Sequence, residues 1–276
     1  MPLLQGLNKI KMLEIELKKF LDNYFDTLIE YKHVALRTNS ILFNDLKRCT
    51  SEDSKMKFAS SLILRDWSGE TDNGYAFAYP TDSMLYTAKE DYAEFIYDLI
   101  SKQFCLFYVQ SFEGLERLLK DMIFQFASID EVLKNAIENK LYNNQFFSRN
   151  NMPTGDKLLE IIDEYLDSFL YQKGNLEFDL KTAYFVLSKT RHNIVHNNYI
   201  LTKSKIFCST NKKELFVDLF MYNEVDNENI RVKLDILYFK NLIDFMCQFS
   251  FQIFKKLCLK NNLNWEVYKG MDKRNK

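Results

Sequence analysis

The sequence predicts a mainly α-helical bundle with an N-terminal helical extension and a small antiparallel β insert near residues 204–234. Three observations carry this expectation. Seven Gly and three Pro among 276 residues are too few turn-formers for a many-stranded fold. Apolar side chains recur every three or four positions over long stretches, the period of a helix with one buried face. Alternation of the kind strands show is confined to one short region. With 47% apolar residues the chain is globular and long enough to bury a sizeable core.

Taken in order, residues 7–37 read as one amphipathic helix, with Ile10, Leu13, Leu17, Phe20, Leu21, Tyr24, Leu28 and Tyr31 on one side. Further helical pieces are expected over 40–48 and 54–65. The stretch 65–83, rich in Gly, Asp and Asn, reads as a loop and divides an N-terminal helical portion, 1–80, from a bundle over 86–264. Its Trp67, Tyr75, Phe77 and Tyr79 could cap a core or meet a base, and burial is the commoner fate of aromatics. Residues 86–127 carry the longest helical pattern, with a broad apolar face suited to a central bundle helix. Glu113 and Glu116 stand beside its core positions, as surface acids (Glu116 within reach of Lys120) or as holders of an arginine from a neighbouring helix.

A shorter helix is expected over 129–142, with Ser128 as N-cap and Glu131 three residues on. After a loop at 143–156 comes a helix over 156–172 that ends at Gly174, then one over 178–198. KIFCS (205–209), ELFVDLFMY (214–222) and IRVKL (230–234) read as strands of a hairpin or meander. The last helix spans 235–260, and a polar, basic tail follows Asn264.

Five scattered cysteines form no C-x-x-C pair, which fits a reducing compartment better than a disulfide framework. The N-terminus lacks the apolar core of a signal peptide, and the run 243–254 is too short to span a bilayer and carries Asp244. These features predict a cytoplasmic protein with no membrane segment. A net charge of −1 excludes a generic nucleic-acid coat. The distribution is uneven: from Lys181 to Lys213 there are seven cations and no acid, whereas 156–179 holds seven acids. A local basic zone attracts phosphate even when the whole chain does not, and ordinary surface scatter would look the same.

Inside that zone lies LSKTRHNIVHNNYI, Leu187–Ile200, with two of the three histidines. Leu180, Tyr184, Leu187, Ile194 and Asn198 step by threes and fours, and Arg191 falls on the same stripe. An arginine on a buried seam is costly unless it is paired or lines a cleft. Three chemistries fit. His192 and His196, at i and i+4, could hold a metal, but Asn193 stands where a metalloprotease carries its Glu, and a third ligand such as Cys208 is unmarked. The pair could be structural, satisfied by backbone or by Asn197 and Asn198. Or they could cleave RNA without a metal or cofactor: an imidazole with a pKa of about 6.5 moves a proton at neutral pH, and a guanidinium holds a phosphate by two parallel hydrogen bonds.

Arg191-His-Asn-Ile-Val-His196 resembles the R-x-x-x-x-H signature of HEPN domains, with His192 in the polar position after the Arg. The resemblance covers about 86–260. It implies a homodimeric helical bundle in which two such motifs face each other across one cleft. In that arrangement Arg191 holds the scissile phosphate, His196 transfers protons, and His192 orients or binds, with Asn193 in support. Glu113 or Glu116 matches the acid that steadies the arginine, and Lys189, Lys203 and Lys205 would bind RNA. The family is rich in toxins and anti-phage ribonucleases, so an inhibitory or activating protein partner is also implied. The alternative is a non-catalytic HEPN-like helical module that binds nucleotides or protein. The N-terminal helical portion and the β insert depart from the family pattern.

Overall fold

The computed structural model describes residues 2–54, 58–65, 78–141, 146–172 and 178–266. It is mainly helical, with a small antiparallel β insert between the later helices. The chain divides into two units, one of residues 1–35 with 102–276 and the other of residues 36–101. Two long helices, α1 (Pro2–Cys49) and α2 (Tyr92–Ala127), contribute to both.

In the larger unit α2 is the central member. Phe104, Tyr108, Phe112, Leu115, Leu119, Met122 and Phe126 are fully buried along one face, the broad stripe its sequence foretells. Leu17, Leu21, Tyr24 and Leu28 of α1 are buried in the same unit. Tyr31 stacks on Phe107 at 5.5 Å, and the Tyr24 hydroxyl donates to the Ser111 carbonyl at 3.3 Å. Gly114 permits this approach, because a Cβ there would come within 3.2 Å of the Tyr24 ring. The final long helix, α8 (Ile236–Lys260 in the sequence), is capped by Asp235, which accepts from the Tyr238 amide at 2.8 Å. Its Phe239 stacks against Phe104 at 5.1 Å.

Between α2 and α8 the chain makes α3 (Glu131–Glu138), α4 (Asp156–Tyr165), α5 (Leu180–His196), β3 (Ile200–Thr202), α6 (Lys203–Ile206), α7 (Thr210–Leu219), β4 (Met221–Glu224) and β5 (Asn229–Lys233). The last strand pairs antiparallel with both others, giving the order β3-β5-β4.

Several boundaries differ from expectation for identifiable reasons. The cap of α3 is Asp130, which accepts from the Val132 and Leu133 amides at 2.9 and 3.2 Å, while the Ser128 hydroxyl turns back to the Gln125 carbonyl. The helix expected over 156–172 ends at Tyr165, because Asp167 and Ser168 take positive φ and the buried Asp163 carboxylate accepts the Leu170 amide at 2.9 Å. Gly174 lies outside the described residues. ELFVDL is helical, since Leu215, Phe216 and Leu219 share a buried face at helical spacing, and strand geometry begins only after Phe220. KIFCS contributes the short α6 and a turn, whereas IRVKL matches β5.

In the smaller unit, residues 58–65 are not the expected third helix. They form β1 (Phe58–Arg65), paired antiparallel with β2 (Ala78–Thr87), with a register shift between Ser61 and Ile63. An eight-residue apolar run does not separate strand from helix by period, and the pairing partner decides it. The loop expected over 65–83 is therefore shortened at its end by β2. Trp67, Tyr75 and Phe77, and the Tyr79 side chain, lie outside the described residues. The Tyr92 hydroxyl donates to Asp45, and Phe43 meets Tyr97 edge-on at 5.5 Å.

Candidate functional site at the end of helix α5

Helix α5 begins at Asp179, whose carboxylate accepts from the Thr182 amide at 2.7 Å. Leu180, Ala183, Tyr184, Val186, Leu187, Thr190, Asn193 and Ile194 form its buried face. Two hydrogen bonds fix the helix against α2. The Tyr108 hydroxyl donates to the Leu187 carbonyl at 2.5 Å, and the Tyr184 hydroxyl donates to Glu116 Oε1 at 2.6 Å. Burial pushes both phenols well above their ordinary range, so each remains a donor. Glu116 thus takes its hydrogen bond from Tyr184 and acts on Lys120 through its charge.

One turn away on α2, Glu113 takes the arginine. Arg191 Nη2 donates to Glu113 Oε1 at 2.7 Å, with the Arg191 side chain 26% exposed and that of Glu113 48%. This is the pairing an arginine near a core seam requires. It is incomplete: Arg191 Nε and Thr190 Oγ1 are buried and find no hydrogen-bond partner. The buried Nε is closed to an incoming group, and what remains of the fork for an oxyanion is its exposed quarter beyond the Glu113 contact.

His192 and His196 lie on the outer side of the same helix end, both exposed, with ring centroids 4.7 Å apart. The His192 pKa is lowered, first by desolvation, then by His196, with Lys189, Arg191 and Lys205 adding to the effect. Lys189 and Lys205 therefore belong to one cationic neighbourhood with both motif residues. Lys189 and Lys212 also flank the Phe185 ring, at 5.7 and 3.9 Å from its centroid. Lys203 is engaged elsewhere, in an ion pair with Glu224 at 2.9 Å. Asn193 points inward: its amide donates to the Lys189 carbonyl at 2.7 Å and its oxygen accepts from Asn197 at 2.7 Å, tying the last turn.

Asn198 is not on the buried stripe, as its spacing suggested, because the helix stops at His196. Asn198 and Tyr199 take positive φ, 50° and 67°, a conformation unusual for a bulky residue such as Tyr. The β sheet holds this turn: the Val232 amide donates to the Tyr199 carbonyl at 2.9 Å, and Ile200 pairs with Arg231. Among the described residues no three His, Cys, Asp or Glu side chains converge as metal ligands. Cys208 faces Lys212 Nζ at 3.5 Å. No described helix is long and apolar enough to cross a membrane.

Sequence reasoning placed Tyr108 and Tyr184 only as core residues and did not foresee the hydrogen bonds their hydroxyls make. A phenol at a fully buried helical position is itself a signal, since its hydroxyl needs a partner. Compared with models of known families, with curated proteins and with solved structures, the chain matches none.

Proposed function

We propose that the chain is a metal-independent endoribonuclease of HEPN type, cytoplasmic and homodimeric, acting as a toxin or anti-phage effector. The observation that carries this reading is the clustering of a half-satisfied guanidinium, two exposed imidazoles and neighbouring lysines at one helix end. RNA supplies the nucleophile. The 2′-oxygen attacks the adjacent phosphorus and its proton passes to an imidazole. The P–O5′ bond breaks, O5′ takes up a proton, and the products are a 2′,3′-cyclic phosphate and a 5′-hydroxyl. Arg191 holds the phosphate as charge grows on it, and His196 transfers protons. His192, kept neutral by its surroundings, orients or binds. A second copy would supply the facing imidazole.

The test is cleavage of total RNA by purified protein in EDTA. The expected result is cleavage indifferent to chelator and reduced about 10²–10⁴-fold by His196→Ala, with a comparable loss in Arg191→Ala. One observation favours the non-catalytic module: the Arg191–Glu113 ion pair joins α5 to α2 as a structural link would. Under that reading the wild type is inert and Arg191→Ala chiefly lowers thermal stability.

A further inference from the structure

A second polar feature lies near the motif, on a face the motif itself does not use. α1 and α2 enclose a groove of about 340 Å³, running from Phe20 to Tyr31 on one wall and from Gln110 to Asp121 on the other. Twelve residues of helix on each wall, eleven steps of rise, make it about 16 Å long. Its floor is the Tyr24–Gly114 approach described above.

The lining repeats. At one end Tyr31, half-buried and stacked on Phe107, lines the groove together with Gln110. At the other, half-buried Phe20 sits one helical turn from the carboxamide of Asn23. The Asn23 and Gln110 side chains are exposed and hydrogen-bond to no described residue. Arg117 also lines the groove, exposed and with no ion pair to a described residue. Between the two ends stands Glu113, whose Oε1 accepts from Arg191 at 2.7 Å. Two rings, two amides and a guanidinium suit unpaired bases, and the lining's two carboxylates, Glu113 and Asp121, are each ion-paired, with Arg191 and Arg149. Rings stack on base faces, amides bond base edges, and arginine takes the intervening phosphate.

We propose that the α1–α2 groove binds two successive nucleotides of single-stranded RNA and feeds the strand past Glu113 to Arg191. The polymer's identity rests on the ribonuclease reading of α5, whereas the groove's affinity for nucleotides does not. The groove sets which bases flank the cut, and it gives the N-terminal helix, which lies outside the family resemblance, a role in substrate choice.

The experiment is fluorescence anisotropy with a labelled 2′-O-methyl hexanucleotide, which lacks the attacking hydroxyl, titrated with the full chain and with Asn23→Ala, Gln110→Ala and Arg117→Ala. These side chains are exposed, so the variants should melt with the wild type. Each single variant is expected to bind about 5- to 30-fold more weakly, and Arg117→Ala to show a shallower salt dependence. Wild-type affinity in all three groove variants overturns the proposal, even if His196→Ala still abolishes cleavage. Groove-dependent binding by a protein that cleaves nothing sustains the groove and removes the nuclease reading instead. A parallel arm uses free 5′-mononucleotides as competitors: displacement only at concentrations far above that of the hexamer supports a polymer site. A mononucleotide that binds as tightly as the hexamer overturns the strand-binding proposal in favour of a free-nucleotide effector site.

Discussion

The two halves of α5 obey different rules. From Leu180 to Leu187 apolar residues point inward, Asp179 caps the first turn, and both neighbouring phenols find acceptors. From Thr190 to His196 the same helix buries a hydroxyl and a guanidinium nitrogen without partners, exposes two imidazoles side by side, and exits through two residues of positive φ. Sequences agree with themselves at every level except where something other than stability is being served. The contrast separates what holds the bundle from what the bundle presents.

The largest effect that tests this division is on the first half. Leu187→Ala, at a fully buried position, should cost about 2–5 kcal/mol in urea unfolding, whereas His196→Ala should change stability by less than about 0.5 kcal/mol. Equal losses would dissolve the contrast. Next comes the clamp between α2 and α5. Tyr108→Phe removes the donor to the Leu187 carbonyl and should cost about 1 kcal/mol, and cleavage should fall with it if the clamp places Arg191. Thr190→Val replaces the unpartnered hydroxyl with a methyl of the same shape and should stabilise the chain by about 1 kcal/mol. Destabilisation instead would mean that the hydroxyl acquires a partner in the assembled protein.

The smallest effect concerns pH. His192 in the folded chain titrates below its ordinary value of 6.5, so on acidification the unfolded chain takes up this proton first. The associated stability is fully present above pH 6.5 and is lost as pH falls through the lower folded value. Long-range ¹H–¹⁵N spectra should place the His192 midpoint below that of a free imidazole. His196→Ala, Lys205→Ala or high salt should move it upward. A midpoint that ignores all three would remove the cationic neighbourhood.

Much of this was legible beforehand. The long helices announced themselves through period, because a buried helical face repeats its apolar residues whatever the neighbours do. The last helix, expected over 235–260, spans Ile236–Lys260. The motif residues were marked by an arginine on an apolar stripe. The partner of that arginine was narrowed to Glu113 or Glu116, and only three-dimensional packing could divide them, since one turn of α2 decides which acid meets Arg191 and which meets Tyr184. FASSLILR and ELFVDLF were misread for a related reason. Short apolar runs carry no decisive period, and their state is set by a strand or a core that lies distant in sequence.

The turn after His196 has a consequence in time. A helix terminus ordinarily unravels and re-forms, and side chains on its final turn wander with it. Here the Tyr199 carbonyl is latched to Val232 and the following residues are stitched into β5, so the last turn cannot loosen without breaking a sheet. If the proposed RNA substrate binds here, the backbone beneath both imidazoles is already ordered, and that part of the entropy was spent when the chain folded.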